Sequence, residues 1–226
     1  LEIVLNVTPV ETPDWNWSLS ANATYQNNSI TNLKLVEGAQ SPNTLVGPTV
    51  GKGGQQVQVF TEGYAPYSFY LYKQIYDEAT GRPIEGLYAD LNGDGVINTS
   101  DLYHYHAVSP DWMFGLSTTL RWKKLYLSTS LRANVGNYLY NGVAMDTGAF
   151  GTVSYNAYEL NNLSRSYLDT RFQTRQQLSD HYVENASFLK MDNLQVGYNF
   201  GQINNLFSLN LSAMIQNVFT ITEYNG

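Results

Sequence analysis

The eleven residues "WNWSLSANATY", Trp15 to Tyr25, alternate without a break. Trp15, Trp17, Leu19, Ala21, Ala23 and Tyr25 fall on one side; Asn16, Ser18, Ser20, Asn22 and Thr24 fall on the other. Alternation with period two belongs to a β-strand. Aromatic rings close both ends of the apolar side, with small residues between them. A strand that crosses a bilayer needs about 9–11 residues and carries aromatic rings at the two interfaces. A soluble sandwich strand with one face in a core alternates in the same way, so the segment defines a strand and leaves its surroundings open.

Outward from there the pattern repeats. Phe114, Leu116, Leu120 and Trp122 oppose Gly115, Ser117, Thr119 and Arg121. Leu125, Leu127, Leu131, Ala133 and Val135 oppose Tyr126, Ser128, Ser130, Arg132 and Asn134. Leu194, Val196, Tyr198 and Phe200 form a further apolar side, and so do Phe207, Leu209, Leu211, Ala213 and Ile215. Ile3, Leu5 and Val7 repeat it less cleanly. Both arginines lie on the polar side, as a lipid-facing strand requires, because an arginine facing lipid at the midplane costs about 2–4 kcal/mol.

The connections are unequal. "VETPD" (10–14), "KK" (123–124) and "GQINN" (201–205) are short, whereas 27–111 and 136–187 are long. Short turns on one side and long loops on the other is the arrangement of outer-membrane barrels, although loops inserted into a sandwich would reproduce it. The expected fold is all-β: antiparallel strands forming part of a transmembrane β-barrel, with 27–111 and 136–187 as extracellular segments. Parity allows 27–111 no crossing or two. "QVQVF" (56–60) and "YSFYLYKQIY" (67–76) are the segments that would supply a pair, or strands standing outside the lipid.

Composition agrees. Hydrophobic residues make up 43% of the 226 and charged residues 14%, against about 25% charged in a typical soluble domain. Tyrosine reaches 18, which suits strands that meet a membrane interface, a carbohydrate, or both. There is no cysteine, hence no disulfide framework and no thiolate metal site. A net charge of −7 with 12 Lys and Arg argues against nucleic acid, whose binding rests on neutralising phosphates. No run of about 18 apolar residues provides a membrane helix. The chain begins "LEIVLNVTP" with no basic leader, and this start within a strand-like segment suggests a piece of a larger barrel.

"YADLNGDGVINTSD" (88–101) has the spacing of a calcium loop. Such a loop uses oxygens at positions 1, 3, 5, 7, 9 and 12, with glycine at 6. Asp90, Asn92, Asp94, the Val96 carbonyl, Asn98 and Asp101 fill these places, and Gly95 takes the turn. Aspartate at the last position has a shorter arm than the usual glutamate. A polar turn without metal gives the same composition. "DLNGDGVINTSDL" (90–102) resembles a dockerin repeat, but only one such loop is present, and the flanks hold Gly81, Pro83, Gly86 and a Ser-Pro pair rather than helices. Structural Ca2+ is the expectation.

"YHYH" (103–106) places His104 and His106 on one side if extended, half of a metal site without an evident third ligand. Tyr103, Tyr105, Tyr138 and Tyr140 can stack on sugar rings, so Tyr103, His104, Tyr105, His106, Tyr138 and Tyr140 are the candidate cargo contacts. The bland reading of these aromatics is loop and girdle packing. "GKGG" (51–54) lacks the ending of a phosphate loop and reads as a turn; "RFQTRQQLSDHYVEN" (171–185) reads as a polar loop with at most a helical turn. Neither HExxH nor GxSxG occurs, and no enzyme is expected.

"YADLNGDGVI" (88–97), "SPDWMFGLSTTLRWKKLYLSTSL" (109–131), "GNYLYN" (136–141), "ENASFLKMDNLQVGYNF" (184–200) and "IQNVFTITEYNG" (215–226) occur in an order that resembles the C-terminal part of SusC/RagA-type TonB-dependent outer-membrane transporters. "LEIVLNVTPVETPDWNWSLSANATYQNN" (1–28) resembles a family segment further back in the barrel. The motifs are individually loose; their order makes the match specific. The resemblance implies a plugged barrel of about 22 strands in the outer membrane of a Bacteroidetes-type bacterium. It further implies import of oligosaccharides or peptides, a SusD-like surface lipoprotein as partner, and energy from the TonB complex. The plug and the TonB-contacting N-terminal part have no counterpart in this sequence, and "TEYNG" (222–226) precedes the family's closing strand. The alternative is a soluble β-sandwich carbohydrate-binding module with a calcium clip.

Overall fold

A computed structural model describes residues 1–38, 41, 43–51, 54–156 and 159–226. In chain order the strands are β1 (Glu2–Glu11), β2 (Trp15–Tyr25), β3 (Thr44–Val50), β4 (Gln55–Phe60), β5 (Ser68–Leu71), β6 (Gln74–Tyr76), β7 (Pro83–Tyr88) and β8 (Tyr103–Ala107). They continue as β9 (Trp112–Trp122), β10 (Leu125–Val135), β11 (Tyr138–Tyr140), β12 (Ser154–Asn156), β13 (Glu159–Leu160), β14 (Val183–Asn185), β15 (Phe188–Ile203) and β16 (Phe207–Thr222). Two short helices are α1 (Gly142–Thr147) and α2 (Tyr167–Thr170). The chain forms two compact units.

The first unit comprises Leu1–Gln26, Pro110–Gly136 and Ala186–Glu223. It is a six-stranded antiparallel wall in the order β1-β2-β9-β10-β15-β16. Its register keeps like with like. One cross-strand row reads Leu5, Ala21, Leu116, Leu131, Met191 and Phe219. The row one residue along reads Asn6, Ser20, Ser117, Ser130, Asn193 and Gln216. One face of the wall is therefore apolar and the other polar, with Arg121 and Arg132 on the polar face.

The apolar face has the dimensions and chemistry of a lipid contact. Trp15 stacks on Trp122 at 5.7 Å at one end, and Tyr25 meets Trp112 at 4.9 Å at the other. Ten residue steps cover about 33 Å along a strand. At the tilt of membrane strands this is about 25 Å of height, that of an outer-membrane apolar band. Two threonines interrupt the face, and both are satisfied within the wall. The Thr118 hydroxyl donates to the Ser18 carbonyl at 3.0 Å and accepts from Trp17 Nε1 at 2.8 Å. Thr129 donates to the Asn193 carbonyl at 2.7 Å. A hydroxyl facing hydrocarbon needs such partners. A sandwich would cover this face with a second sheet, yet Leu5, Trp122 and Ile215 are 52%, 46% and 59% exposed.

The short turns hold the wall's other end. Asn204 and Asn205 both have positive φ, 52° and 55°, and Leu206 N–H donates to the Ile203 carbonyl at 3.0 Å. Both residues thus stand in the left-handed region, which asparagine tolerates. The connection expected over 201–205 is instead Asn204–Leu206, between the paired Ile203 and Phe207. Gly201, at φ 80°, serves a bulge within β15 between Asn199 and Gly201.

The second unit comprises Asn27–Ser109, Asn137–Asn185 and Tyr224–Gly226, close to the bounds of the two long segments. None of its strands joins the wall. β3, β4, β5 and β8 form a sheet of their own, and β6 pairs with β7. "QVQVF" and "YSFYLYKQIY" therefore add no crossing. Val57, Phe69 and Leu71 form one buried cluster; Ala144, Met145, Phe172 and Tyr182 form another, and Val50 and Tyr140 pack against both. The 171–185 segment is correspondingly less of a loop than its polarity suggests. Phe172 and Tyr182 sit in the core, Ser179 is fully buried, and a helical turn spans Asp180–Tyr182. Glu85 ties this segment down by accepting from the backbone amides of Gln173 and Thr174 at 2.8 Å each. Of "GKGG", Lys52 and Gly53 lie outside the described residues.

Candidate functional site

The expected cargo residues converge on β8. Its extended backbone sends His104 and His106 to one side, and each ring finds a tyrosine. His104 stacks on Tyr64 at 3.6 Å and 12° and lies 5.0 Å from Tyr70. His106 stacks on Tyr138 at 3.6 Å and 5°. Burial pushes both imidazoles below their ordinary pKa, so both are neutral at pH 7. On the other side Tyr103 donates to Asp180 Oδ2 at 2.5 Å. Burial, reinforced by that bond, raises the Tyr103 phenol.

The rings differ in what they can offer a ligand. Tyr140 donates to the Gln177 carbonyl at 2.8 Å and fills space between the two buried clusters. Its ring is partly buried and packs against both. Tyr105, Tyr64 and Tyr67 are 40%, 46% and 46% exposed, and Tyr67 is braced edge-on by Phe60 at 4.9 Å. These are preorganised flat surfaces of the kind that stack on sugar rings or apolar side chains. Tyr64 and Tyr67 escaped the sequence reading. The only signal for them is that "EGYAPYS" (62–68) leads into the strand that pairs with β8.

A cleft of about 650 Å³ in the same unit is lined by Asn141, Arg165, Asp169, His181 and Glu184, among others. Asn141 Nδ2 and the Asn225 amide each donate to Glu184 at 2.7 Å, which fixes that carboxylate at the rim. His181 Nδ1 lies 3.1 Å from the Tyr76 hydroxyl. Burial lowers the His181 pKa, and Asp180, Asp169 and Glu184 oppose the shift. The cleft offers both signs of charge beside apolar surface.

The calcium-type loop folds on its own side chains. Asp90 accepts from the amides of Gly93 and Gly95 at 2.7 Å each. Asp94 Oδ1 accepts from the Val96 amide at 2.8 Å and Oδ2 from Asn92 Nδ2 at 2.9 Å. Asn98 caps the following turn by accepting from Ser100 N–H at 2.8 Å and donates to the Val96 carbonyl at 3.1 Å. Asp101, fully buried, joins the loop's two ends: Oδ2 accepts from Asn98 N–H at 2.9 Å, and Oδ1 from Leu91 and Asn92 at 2.9 and 3.3 Å. The Asn98 amide first, with those of Leu91 and Asn92, holds the Asp101 carboxyl below its ordinary range. Among the described residues no three acidic or histidine side chains gather around one point. Each carboxylate has about four lone-pair positions, so Asp90 and Asp94 retain accepting capacity for a cation. Asp101 is largely committed to closing the loop.

No family model matches the chain. It is 36% identical, over its whole length, to the TonB-dependent receptor SusC of Bacteroides thetaiotaomicron, and 28% identical to the TonB-dependent receptor P3 of Formosa agariphila. It spans 23% and 24% of the length of these relatives. Among solved structures, the RagAB peptide importer in its closed-closed state matches the whole chain with a TM-score of 0.72 at 25% identity, over 26% of that chain. A structure of the RagAB peptide transporter matches with a TM-score of 0.70 at 25% identity, again over 26% of that chain.

Proposed function

Because the chain belongs, over the quarter of the receptor that it spans, to the SusC/RagA-type family of TonB-dependent receptors, we propose that it supplies barrel wall and outer loops to an outer-membrane importer. The importer takes up oligosaccharides or peptides together with a SusD-like surface lipoprotein, in the outer membrane of a Bacteroidetes-type bacterium. The TonB complex supplies the energy through another part of the receptor. The second unit, with its exposed tyrosines and two-signed cleft, stands on the extracellular side and meets cargo. Catalysis has no place in this reading.

The observation that carries it is the wall: six antiparallel strands with one apolar face and one polar face, and rings at both rims of the apolar one. The full-length receptor in vesicles of brominated lipid tests it. Emission from Trp15, Trp17 and Trp122 should be quenched, and emission untouched by bromine at any depth would sink the lipid-facing assignment. Cargo is tested by uptake of a labelled oligosaccharide and a labelled oligopeptide into cells with and without the receptor and the lipoprotein. If neither uptake depends on the receptor, the import reading fails.

Calcium at the loop is the remaining part. It would draw on Asp90, Asn92, Asp94 and the Val96 carbonyl, with Asn98 and Asp101 holding the loop shut around it. Calorimetry on the full-length receptor should show calcium uptake that Asp90→Ala/Asp94→Ala abolishes; equal uptake by both rejects these ligands.

A further inference from the structure

The polar face of the wall is unevenly charged. The chain has only 12 Lys and Arg against 19 Asp and Glu, yet Arg121, Lys123 and Lys124 line one recess of about 230 Å³ at the short-turn end. Tyr126, Asn199, Gly201 and Asn210 complete the lining, and no carboxylate belongs to it. We propose that this recess is an oxyanion-binding site, for a phosphate or a carboxylate.

The recess is built by the register. Arg121 pairs with Tyr126 across β9 and β10, and Asn199 pairs with Asn210 across β15 and β16. A Cβ at Gly197 would collide with the Tyr126 ring. The missing side chain there thus lets the tyrosine lie across β15 and form a side of the recess. Both residues of the bulge between Asn199 and Gly201, where Gly201 N–H donates to Asn199 Oδ1 at 2.9 Å, belong to the lining.

The cations in the recess are poorly compensated. Further along the same face Arg132 meets Asp192 at 3.1 Å. Arg121 has no ion pair among the described residues. Lys123 reaches Asp14 only at 3.8 Å, with both side chains more than half exposed, which makes a weak, screened pair. Lys124 Nζ donates to the Phe200 carbonyl at 3.2 Å, a contact that leaves its charge unneutralised. A guanidinium fork, ammonium groups and carboxamide N–H donors together match the oxygens of a phosphate or carboxylate. Two sources carry that chemistry: a free anion in the water along the polar face, or a carboxylate on another segment of the receptor folded against the wall.

Titration of the full-length receptor with inorganic phosphate at low salt, with thermal midpoints at low and high salt, separates these sources. A free-anion site gives saturable uptake that Arg121→Gln/Lys124→Gln weakens at least tenfold. A site filled by the receptor's own carboxylate gives no uptake, but Arg121→Gln lowers the midpoint at low salt and much less at high salt. Arg121→Lys, which keeps the charge and loses the fork, folds as a control and falls between wild type and Arg121→Gln in either readout. Uptake that is equal in wild type and double variant overturns the proposal. So does an absence of uptake combined with midpoints that Arg121→Gln leaves unchanged at both salts.

Discussion

Leu116 and Ser117 are neighbours in sequence and opposites in environment, which allows a sharp test of the wall. Leu116 sits near mid-strand on the apolar face between Ala21 and Leu131. Ser117 sits on the polar face between Ser20 and Ser130. Arginine facing lipid near the midplane costs about 2–4 kcal/mol, and removing a leucine from an apolar contact costs about 1.5–3 kcal/mol more. Even the lower end of the first term shifts the folding equilibrium about thirtyfold. Ser117→Arg adds a charge on the watered side, where substitutions usually change stability by about 0.5 kcal/mol or less. The assay is denaturant unfolding of the full-length receptor in lipid vesicles, followed by tryptophan emission and by loss of the heat-resistant gel band. Leu116→Arg should lose several kcal/mol and Ser117→Arg little. Equal losses, or a larger loss for Ser117→Arg, would refute the two-faced wall.

Three further outcomes are expected. Since its backbone amide partners depress the Asp101 carboxyl in the folded loop, its contribution is fully present above the unfolded value near 3.9 and is lost as pH falls through the folded value. Amide exchange at Asn98 should therefore lose protection only in acid, and in Asp101→Asn it should be weak at neutral pH too. Burial lowers the His104 pKa, so this base favours the fold above about pH 6.5 and penalises it progressively below. Tyr64→Ala uncovers the ring and should move the proton-NMR titration of His104 back toward 6.5. In the Asn204–Asn205 turn, Asn205→Val puts a β-branched residue in the left-handed region at a cost of about 1–2 kcal/mol, whereas Asn205→Gly should be neutral or stabilising; chemical denaturation of both variants checks this.

The wall was legible because its information is local. β2 and β10 are found at the bounds their alternation indicates. β15 and β16 run longer than read, each past an irregularity that breaks the pattern. The bulge between Met191 and Asn193 shifts the alternation of β15 by one residue, and in β16 the polar Asn217, with φ 54°, falls where the alternation calls for an apolar residue. Leu189 and Met191 then return to the apolar face out of phase with Leu194, Val196 and Tyr198, whereas Phe219 and Ile221 resume the phase of Ile215. The second unit hides for the opposite reason. Its strands are short and several, such as β4 and β5, are buried on both faces, so no period distinguishes them. At the site, residue types were readable and partnerships were not. The loop of Asp90 to Asp101 announces oxygen ligands, but that Asp101 spends its oxygens on three backbone amides depends on where the chain turns back. Tyr64 meets His104 only because the strand it leads into pairs with β8.

Both long segments leave and rejoin the wall at hydrogen-bonded neighbours: Tyr25 pairs with Trp112, and Asn134 with Phe188. Each insertion therefore begins and ends about one strand spacing apart, near 4.8 Å, whatever its length. Closing a loop twice as long costs only about 0.6 kcal/mol more, and no strand must change register to admit it. The wall is in this sense a fixed socket and the second unit an exchangeable cassette. A longer or shorter segment can stand between the same strand ends, while the membrane-facing surface stays as it is.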